Sequence, residues 1–311
     1  MADETPQSKR WEQLAAAIEP GSRVLCARPL AGGVSADITA LEIVGGSGTL
    51  RTVVVRRHGP ADLAANPQIA ADEFRLLAYL HSQGIPVPQP LYVDPAGVIM
   101  GSPCLVIAFV PGGAGIPNLD MGEWTGQMAE HLADIHHFDG AGAELSFLPL
   151  IAMRYARLLA ERPATLDTTI EEERIRAMLR AAWPFPQHNA TALLHGDFWP
   201  GNLLWDNGRV AAILDWEDAA IGDPLADLAN TRLEILWAHG QDAMQHFTSH
   251  YQARMALDVR ALPLWDLCAA LRPAGKIDAW AADQAAAQMM RDRHAWFRTQ
   301  AFVLLDSHDN R

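Results

Sequence analysis

Residues 193–230 read LLHGDFWPGNLLWDNGRVAAILDWEDAAIGDPLADLAN, and they contain the most informative side chains of the chain. Asp197 is followed by Asn202 five positions later, within the segment HGDFWPGN. An apolar run with the character of a strand then leads to Asp215, and Glu217 follows two positions on. The sequence therefore places an acid and an amide in one loop and a pair of acids at the end of a predicted strand.

The composition is that of an ordinary globular protein. The chain has 311 residues, half of them hydrophobic and a fifth charged, which is enough for one large or two modest domains. Its 24 Lys and Arg against 37 Asp and Glu give a formal net charge of −13. Because nucleic acids are held by clustered basic side chains, we expect no nucleic-acid partner. The acidity slightly favours a cationic small molecule.

The cysteines and the hydropathy of the sequence indicate the cellular compartment of the protein. Cys26, Cys104 and Cys268 are widely spaced and include no C-x-x-C pair, so reduced thiols are expected. The segment MADETPQSKRWEQL is polar and carries both charge signs, unlike the apolar centre of a signal peptide. No stretch approaches the roughly 20 apolar residues that cross a bilayer. The sequence predicts a cytoplasmic protein without a membrane partner, and its pattern indicates no oligomeric state.

The pattern of apolar residues changes along the chain. Three strand-like runs, 24–27, 37–44 and 50–56, are separated by turns that contain Gly. A helix is predicted to begin at Asn66-Pro67 and to end before Gly84, and a fourth strand-like run follows at 104–110. The last run stops at the segment PGGAGIPN, and beyond it the apolar residues recur at helical spacing. We therefore predict an α+β protein with an N-terminal domain at 1–110, built on a small antiparallel sheet. A larger, mainly helical domain is predicted at 111–311.

The segments HGDFWPGN and DWE resemble the signature H-G-D-x-x-x-x-N, followed by D-x-[DE], of the aminoglycoside phosphotransferase and choline kinase family. The resemblance covers roughly residues 23 to 238. It implies a protein-kinase-like fold of two lobes. It also implies an enzyme that transfers the γ-phosphate of ATP or GTP to a hydroxyl group of a small molecule. Protein substrates are not expected, because neither D-F-G nor A-P-E bounds an activation segment.

The resemblance also implies which residues carry the chemistry. Asp197 takes the position of the catalytic base, which orients the acceptor hydroxyl and accepts its proton. Asn202 and Asp215 take the positions of Mg²⁺ ligands, and amide and carboxylate oxygens suit that cation. Trp199 lies inside the loop and is expected to form a shelf for the acceptor. Three further residues are expected to brace the loop or to lie behind the metal ligands: His195, Glu217 and Asp227.

A nucleotide site is implied for the N-terminal lobe. Arg56 ends the strand VVVR, where the family carries a Lys that pairs with phosphate, and Glu73 on the following helix matches the partner of that Lys. Arg differs from Lys in reach and in the geometry of its donors. Alone, the segment GGVS predicts an ordinary hairpin turn more strongly than a phosphate-binding loop. The remaining nucleotide contacts are expected from Gly32, Gly33 and Ser35, and from the backbone at Ile107, Phe109 and Val110.

Two other functions stay open at this point. The chain is a nucleotide-binding pseudokinase if Arg56 has removed turnover, although the intact Asp197, Asn202 and Asp215 argue against this. A metal-dependent hydrolase is disfavoured because no further His or Asp ligands stand at zinc or two-metal spacing. The acceptor stays unidentified, since members of the family resembled phosphorylate antibiotics, choline-like alcohols, sugars and amino acids.

Overall fold

The computed structural model of the chain describes residues 6–30, 36–139, 142–161 and 163–309. Its internal contacts divide the chain into two units. The first unit comprises Met1–Gly113 together with Ala211–Glu217, and the second comprises Ala114–Val210 together with Asp218–Arg311. The predicted division after residue 110 placed the segment 211–217 in the second domain, whereas its contacts assign it to the first unit.

The first unit is built on a five-stranded sheet. Its strands are β1 (Arg23–Pro29), β2 (Ala36–Val44), β3 (Leu50–His58), β4 (Pro90–Asp94) and β5 (Cys104–Ala108). They pair in the order β1-β2-β3-β5-β4, and each neighbouring pair is antiparallel. The helices of this unit are α1 (Pro6–Ile18), α2 (Pro60–Ala65) and α3 (Ile69–Ser82). The prediction of an N-terminal antiparallel sheet is thereby confirmed.

The central strand β3 presents different chemistry on its two faces. Val53 and Val55 belong to the apolar cluster that α1 forms with the sheet. Because side chains alternate along a strand, Arg56 and His58 point to the opposite face. There both meet Glu73 of α3. The sheet therefore separates an apolar core on one side from a buried polar cluster on the other.

The second unit is mainly helical, as predicted. Its helices are α4 (Met121–His136), α5 (Ile151–Ala160), α6 (Glu172–Ala182), α7 (Leu225–His239), α8 (Gln241–Arg254), α9 (Leu262–Leu271), α10 (Ile277–Trp280) and α11 (Gln284–Asp309). The remaining strands of the chain are short: β6 (Gly113–Ala114), β7 (Ala192–Leu194), β8 (Leu203–Asp206), β9 (Arg209–Ile213) and β10 (Ala220–Gly222). Strands β7 and β10 pair antiparallel, with Leu193 opposite Ile221.

Helices α7 and α9 form the centre of the second unit. The sequence of α9, LPLWDLCAAL, is apolar almost all round, which is typical of a fully buried helix, and nearly every residue in it is buried. Helix α7 packs against α9 and α8, and α11 packs against both α9 and α7. Among the described helices, none is both long and apolar enough to span a membrane.

Candidate active site

Arg56 is the centre of the polar cluster in the first unit. It is buried, and its Nη2 lies 2.6 Å from Oδ1 of Asp215 and 2.6 Å from Oε2 of Glu217. Its Nε lies 3.5 Å from Oε2 of Glu73. The next residue, Arg57, lies on the other face of the strand and pairs with Asp37. Of the two arginines, Arg56 therefore faces Asp215 and Glu217, whereas its assignment to the nucleotide phosphates stays a prediction.

The opposite charges within this cluster keep both Arg56 and Glu73 ionised. Burial alone would raise the pKa of Glu73, but the Arg56 guanidinium and the hydrogen bond from His58 outweigh it and hold that pKa below its usual value. Burial would likewise lower the pKa of Arg56, whereas Glu73, Asp215 and Glu217 together raise it. Arg56 is therefore a permanent cation among three carboxylates.

The backbone at the end of β9 aims Asp215 at this cluster. Asp215 adopts a left-handed conformation with φ of 65°, which is uncommon outside glycine. The segment before it is fixed to the first unit, because the Ile213 N–H donates to the Pro86 carbonyl at 2.7 Å. The indole of Trp216 is buried and donates to the Ile213 carbonyl at 3.1 Å. The strand and the indole thus hold Asp215 in a conformation that the chain rarely adopts.

Carboxylates of the first unit fit the Mg²⁺ that the resemblance implies. Asp215 and Glu217 offer oxygen ligands of the kind that Mg²⁺ prefers, and both are partly accessible. Glu217 also belongs to a group with His58 and Asp62, whose ligand atoms lie within 4.8 Å of one another. Asn202, the other predicted ligand, lies in the second unit.

The predicted nucleotide contacts of the first unit are distributed as follows. Gly32, Gly33 and Ser35 lie outside the described residues. Ile107 lies within β5, opposite Val54. Phe109 and Val110 follow the end of that strand. Phe109 is exposed, and its N–H donates to the Thr52 carbonyl at 3.4 Å.

In the second unit, a buried aspartate holds the loop that begins after β7. Asp227 of α7 accepts hydrogen bonds from the backbone N–H groups of His195, at 2.6 Å, and Gly196, at 2.9 Å. His136 contacts the same carboxylate at 3.2 Å through Nε2, and its Nδ1 lies 2.5 Å from the hydroxyl of Tyr251. Burial would raise the pKa of Asp227, but these hydrogen bonds and charges lower it. Asp227 therefore braces the loop as a carboxylate.

Position 196 accommodates only a glycine, because of its backbone conformation and the lack of space for a Cβ. Its φ is 83°, and a Cβ at this position would lie 2.1 Å from the carbonyl oxygen of Asp218. The following N–H, that of Asp197, donates to Nδ1 of His195 at 3.2 Å. His195 itself is fully buried. The segment His-Gly-Asp thus forms a tight turn that directs Asp197 out of the core.

Asp197 and Asn202 contact each other within this loop. Nδ2 of Asn202 donates to Oδ2 of Asp197 at 3.1 Å and to its backbone carbonyl at 2.9 Å. Since the amide nitrogen is used in this way, Oδ1 of Asn202 is the atom left to bind a cation. The half-buried Trp199 lies against Gly201, where a Cβ would come within 2.2 Å of the indole. The loop therefore brings into contact the acid and the amide that stand five positions apart in the sequence.

Several residues near Asp197 were not singled out by any motif. Arg272, which follows α9, contacts both the backbone carbonyl of Gly196 and the Asp197 carboxylate. Asp218 lies beside Arg272, and Glu234 lies on the face of α7 that carries Asp227. Burial and the charge of Asp197 raise the pKa of Glu234 to about 7. Glu234 and Arg272 come from the later helices, for which the sequence pattern predicted only helical structure, and Asp218 comes from the turn after Glu217.

Comparisons with known proteins place the chain in a family. The profile of the phosphotransferase enzyme family matches residues 27–254, which include both Asp197 and Asp215. Over 195 residues the chain is 27% identical to acyl-CoA dehydrogenase family member 10 of Mus musculus. This similarity covers 58% of the chain and 18% of that relative, so the chain spans less than a fifth of the relative's length.

Solved structures show the same fold. The GDP complex of aminoglycoside 2'-phosphotransferase-IIIa is similar with a TM-score of 0.63 at 16% identity, covering 93% of this chain and 98% of that one. Amicoumacin kinase hAmiN, solved in complex with AMP-PNP, Ca²⁺ and Ami, has a TM-score of 0.60 at 15% identity, covering 88% of each chain. The predicted α+β, protein-kinase-like fold is thereby confirmed. Because the family profile covers most of the chain, including the loop with Asp197, the chain belongs to the phosphotransferase enzyme family.

Proposed function

We propose that the chain is a small-molecule kinase that transfers the γ-phosphate of ATP or GTP to a hydroxyl group. The observation that supports this most directly is the contact between Asp197 and Asn202 in a loop braced from behind by Asp227. A loop held in this way presents a carboxylate in a constant orientation. The transition state of phosphoryl transfer is loose, so a protein catalyses this reaction largely by positioning the reacting groups.

In the proposed reaction, Asp197 accepts a hydrogen bond from the acceptor hydroxyl and orients its oxygen. That oxygen forms a bond to the γ-phosphorus, while the bond from phosphorus to the bridging oxygen breaks. The electron pair leaves with the nucleoside diphosphate, and the hydroxyl proton passes to Asp197. His195 and Asp227 keep the loop in shape. Trp199 lines the acceptor side as an aromatic shelf.

The nucleotide is assigned to the first unit. Arg56, held by Glu73, pairs with the phosphates, and its fork suits phosphate oxygens. The base is held by backbone groups at Ile107, Phe109 and Val110, and the phosphates also by the Gly32, Gly33 and Ser35 loop. Asn202 and Asp215 would hold Mg²⁺, with Glu217 behind them. When bound, Mg²⁺ would neutralise part of the negative charge on the nucleotide phosphates.

The acceptor is proposed to be a small compound with a hydroxyl group, and cationic compounds are the first candidates to test. The net charge of −13 favours them. Similarity to an aminoglycoside phosphotransferase and to an amicoumacin kinase supports the inclusion of antibiotics among the compounds tested.

An acceptor screen that measures ADP and GDP release tests the proposal. The panel contains aminoglycosides, macrolides, choline, amino alcohols, sugars and hydroxy amino acids, each with Mg²⁺ and either nucleotide. Asp197→Asn is expected to keep nucleotide affinity and to lower turnover about 100-fold or more. Asp206→Asn, at an exposed position, is the matched control and is expected to behave as the unsubstituted protein. Equal turnover in the two variants would contradict the role of Asp197.

One observation favours the pseudokinase as a second candidate. Nη2 of Arg56 lies against both Asp215 and Glu217, so the cation stands beside the carboxylates proposed to face Mg²⁺. If this contact prevents turnover, nucleotide stabilises the protein against heat but no acceptor in the panel is phosphorylated. Arg56→Lys, which removes the fork and keeps the charge, should then restore acceptor-dependent ADP release.

A further inference from the structure

Arg272 joins the last part of the second unit to the loop that carries Asp197. It follows α9 directly, and its position lies beyond the residues 27–254 that match the family profile. Its Nη1 donates to the backbone carbonyl of Gly196 at 2.8 Å, and its Nη2 lies 3.3 Å from Oδ1 of Asp197. One side chain therefore contacts both the backbone and the carboxylate of the loop.

The two oxygens of Asp197 have different partners. Oδ2 accepts from Nδ2 of Asn202 at 3.1 Å, and Oδ1 faces Arg272. Asn202 lies in the same loop, whereas Arg272 comes from a helix end 75 positions further along the chain. A carboxylate that is contacted on both oxygens cannot rotate about its terminal bond without losing one of these contacts.

Arg272 is itself oriented by a neighbouring ion pair. Oδ2 of Asp218 lies 3.6 Å from Nη2 of Arg272, and Oδ1 of the same carboxylate lies 3.1 Å from Nη1 of Arg154. Arg154 also donates to the backbone carbonyl of Asp218 at 3.1 Å. Burial would lower the pKa of Arg272, but Asp197 and Asp218 raise it, so Arg272 is charged. A series of ion pairs, from Arg154 through Asp218 to Arg272, thus connects α5 with the loop.

From these contacts we propose that Arg272 is a positioning residue for phosphoryl transfer, holding the Asp197 carboxylate in the single orientation in which it meets the acceptor hydroxyl. The inference rests on the proposed kinase function. Arg272 acts through Asp197, since its contacts are with the loop and with Asp218. Its removal should therefore lower the rate of transfer more than the affinity for nucleotide, because a misdirected carboxylate still leaves the first unit intact.

The experiment compares Arg272→Gln, Arg272→Lys and Arg272→Ala in the full chain, using an acceptor found in the screen. Arg272→Gln is expected to lower kcat about 10- to 100-fold while the KM for nucleotide is unchanged. Arg272→Lys keeps the charge and should recover part of the loss. Low, non-denaturing concentrations of guanidinium should partly restore kcat in Arg272→Ala. Arg154→Gln, one step further from Asp197, should lower kcat less than Arg272→Gln.

Two controls separate this role from general support of the fold. Arg260→Gln removes an exposed arginine whose described partners are Asp258 and His188, and it should leave kcat unchanged. Thermal melting of each variant reports stability. The inference is overturned if Arg272→Gln retains full kcat, or if all three variants lose equal activity with lowered melting temperatures and no guanidinium rescue. If the unsubstituted chain releases no acceptor-dependent ADP or GDP, the kinase proposal itself fails, and this inference with it.

Discussion

Nη2 of Arg56 lies 2.6 Å from Oδ1 of Asp215, although the two residues are 159 positions apart in the sequence. The contact is possible because the segment 211–217 belongs to the same unit as the N-terminal sheet. Glu73 and Glu217 surround the same guanidinium. A single arginine therefore keeps three carboxylates together in the first unit.

Removal of this cation should destabilise the first unit. Arg56→Ala leaves Glu73 buried beside two further acids, and the loss of one partner from a buried ion pair costs about 3 kcal/mol or more. Urea denaturation should show this fall in the free energy of unfolding. Arg57→Ala is the matched control, because Arg57 is adjacent but has a more exposed side chain than Arg56 and pairs with Asp37. We expect it to cost about 1 kcal/mol or less.

Asp227→Asn should loosen the loop that carries Asp197. The substituted amide offers one oxygen where the carboxylate accepts from the two N–H groups of His195 and Gly196, so one buried donor loses its partner. We expect a loss of stability of about 2 kcal/mol and a fall in turnover. Tyr251→Phe, which removes only the hydroxyl beside His136, should cost less.

The same aspartate predicts a dependence of stability on pH. The pKa of Asp227 is lowered in the folded state, so its contribution is present above its unfolded pKa of about 3.9. That contribution is lost as the pH falls through the lower, folded pKa. Asp227→Asn should therefore unfold with a weaker acid dependence than the unsubstituted protein. Parallel acid dependences in the two proteins would contradict this.

Gly196→Ala tests the geometry of the turn before Asp197. The substitution combines a positive φ with a Cβ at 2.1 Å from the Asp218 carbonyl oxygen. Gly275→Ala is the matched control, because Gly275 has a φ of 69° but no atom within 4 Å of the added Cβ. Gly275→Ala should cost about 1 to 2 kcal/mol. Gly196→Ala should cost more and should also abolish turnover, as measured by denaturation and by ADP release.

Glu234→Gln should change how stability varies between pH 5 and pH 8. The folded pKa of Glu234 is about 7, above its unfolded value, so the native state binds more protons in this range and loses stability as the pH rises. The variant should match the unsubstituted protein only below the unfolded pKa of about 4.3, and the two should diverge as the pH rises from there to 7. At pH 8 it should be more stable, by up to roughly 3 kcal/mol. Glu173→Gln, at an exposed position on α6, should retain the original pH dependence.

The sequence by itself determined the local parts of this protein. The apolar run VVV predicted the strand that carries Arg56, and the alternation of side chains along a strand predicted that Arg56 and Arg57 face opposite sides. The spacing from Asp197 to Asn202 placed an acid and an amide in one loop, and the resemblance of that segment to a kinase loop predicted the family. These features depend on residues close together in the chain, so a motif records them.

The tertiary structure alone decided which distant residues surround the motif. Arg272 and Glu234 reach the loop from the end of α9 and from α7 because α7 and α9 pack against each other beside it, and no spacing in the sequence encodes that approach. The resemblance implied that Asp227 braces the loop or lies behind the metal ligands, and the tertiary structure shows that its carboxylate accepts from two backbone N–H groups. Contacts over long sequence separations depend on the packing of whole helices, and that packing is not recorded in any short run of residues.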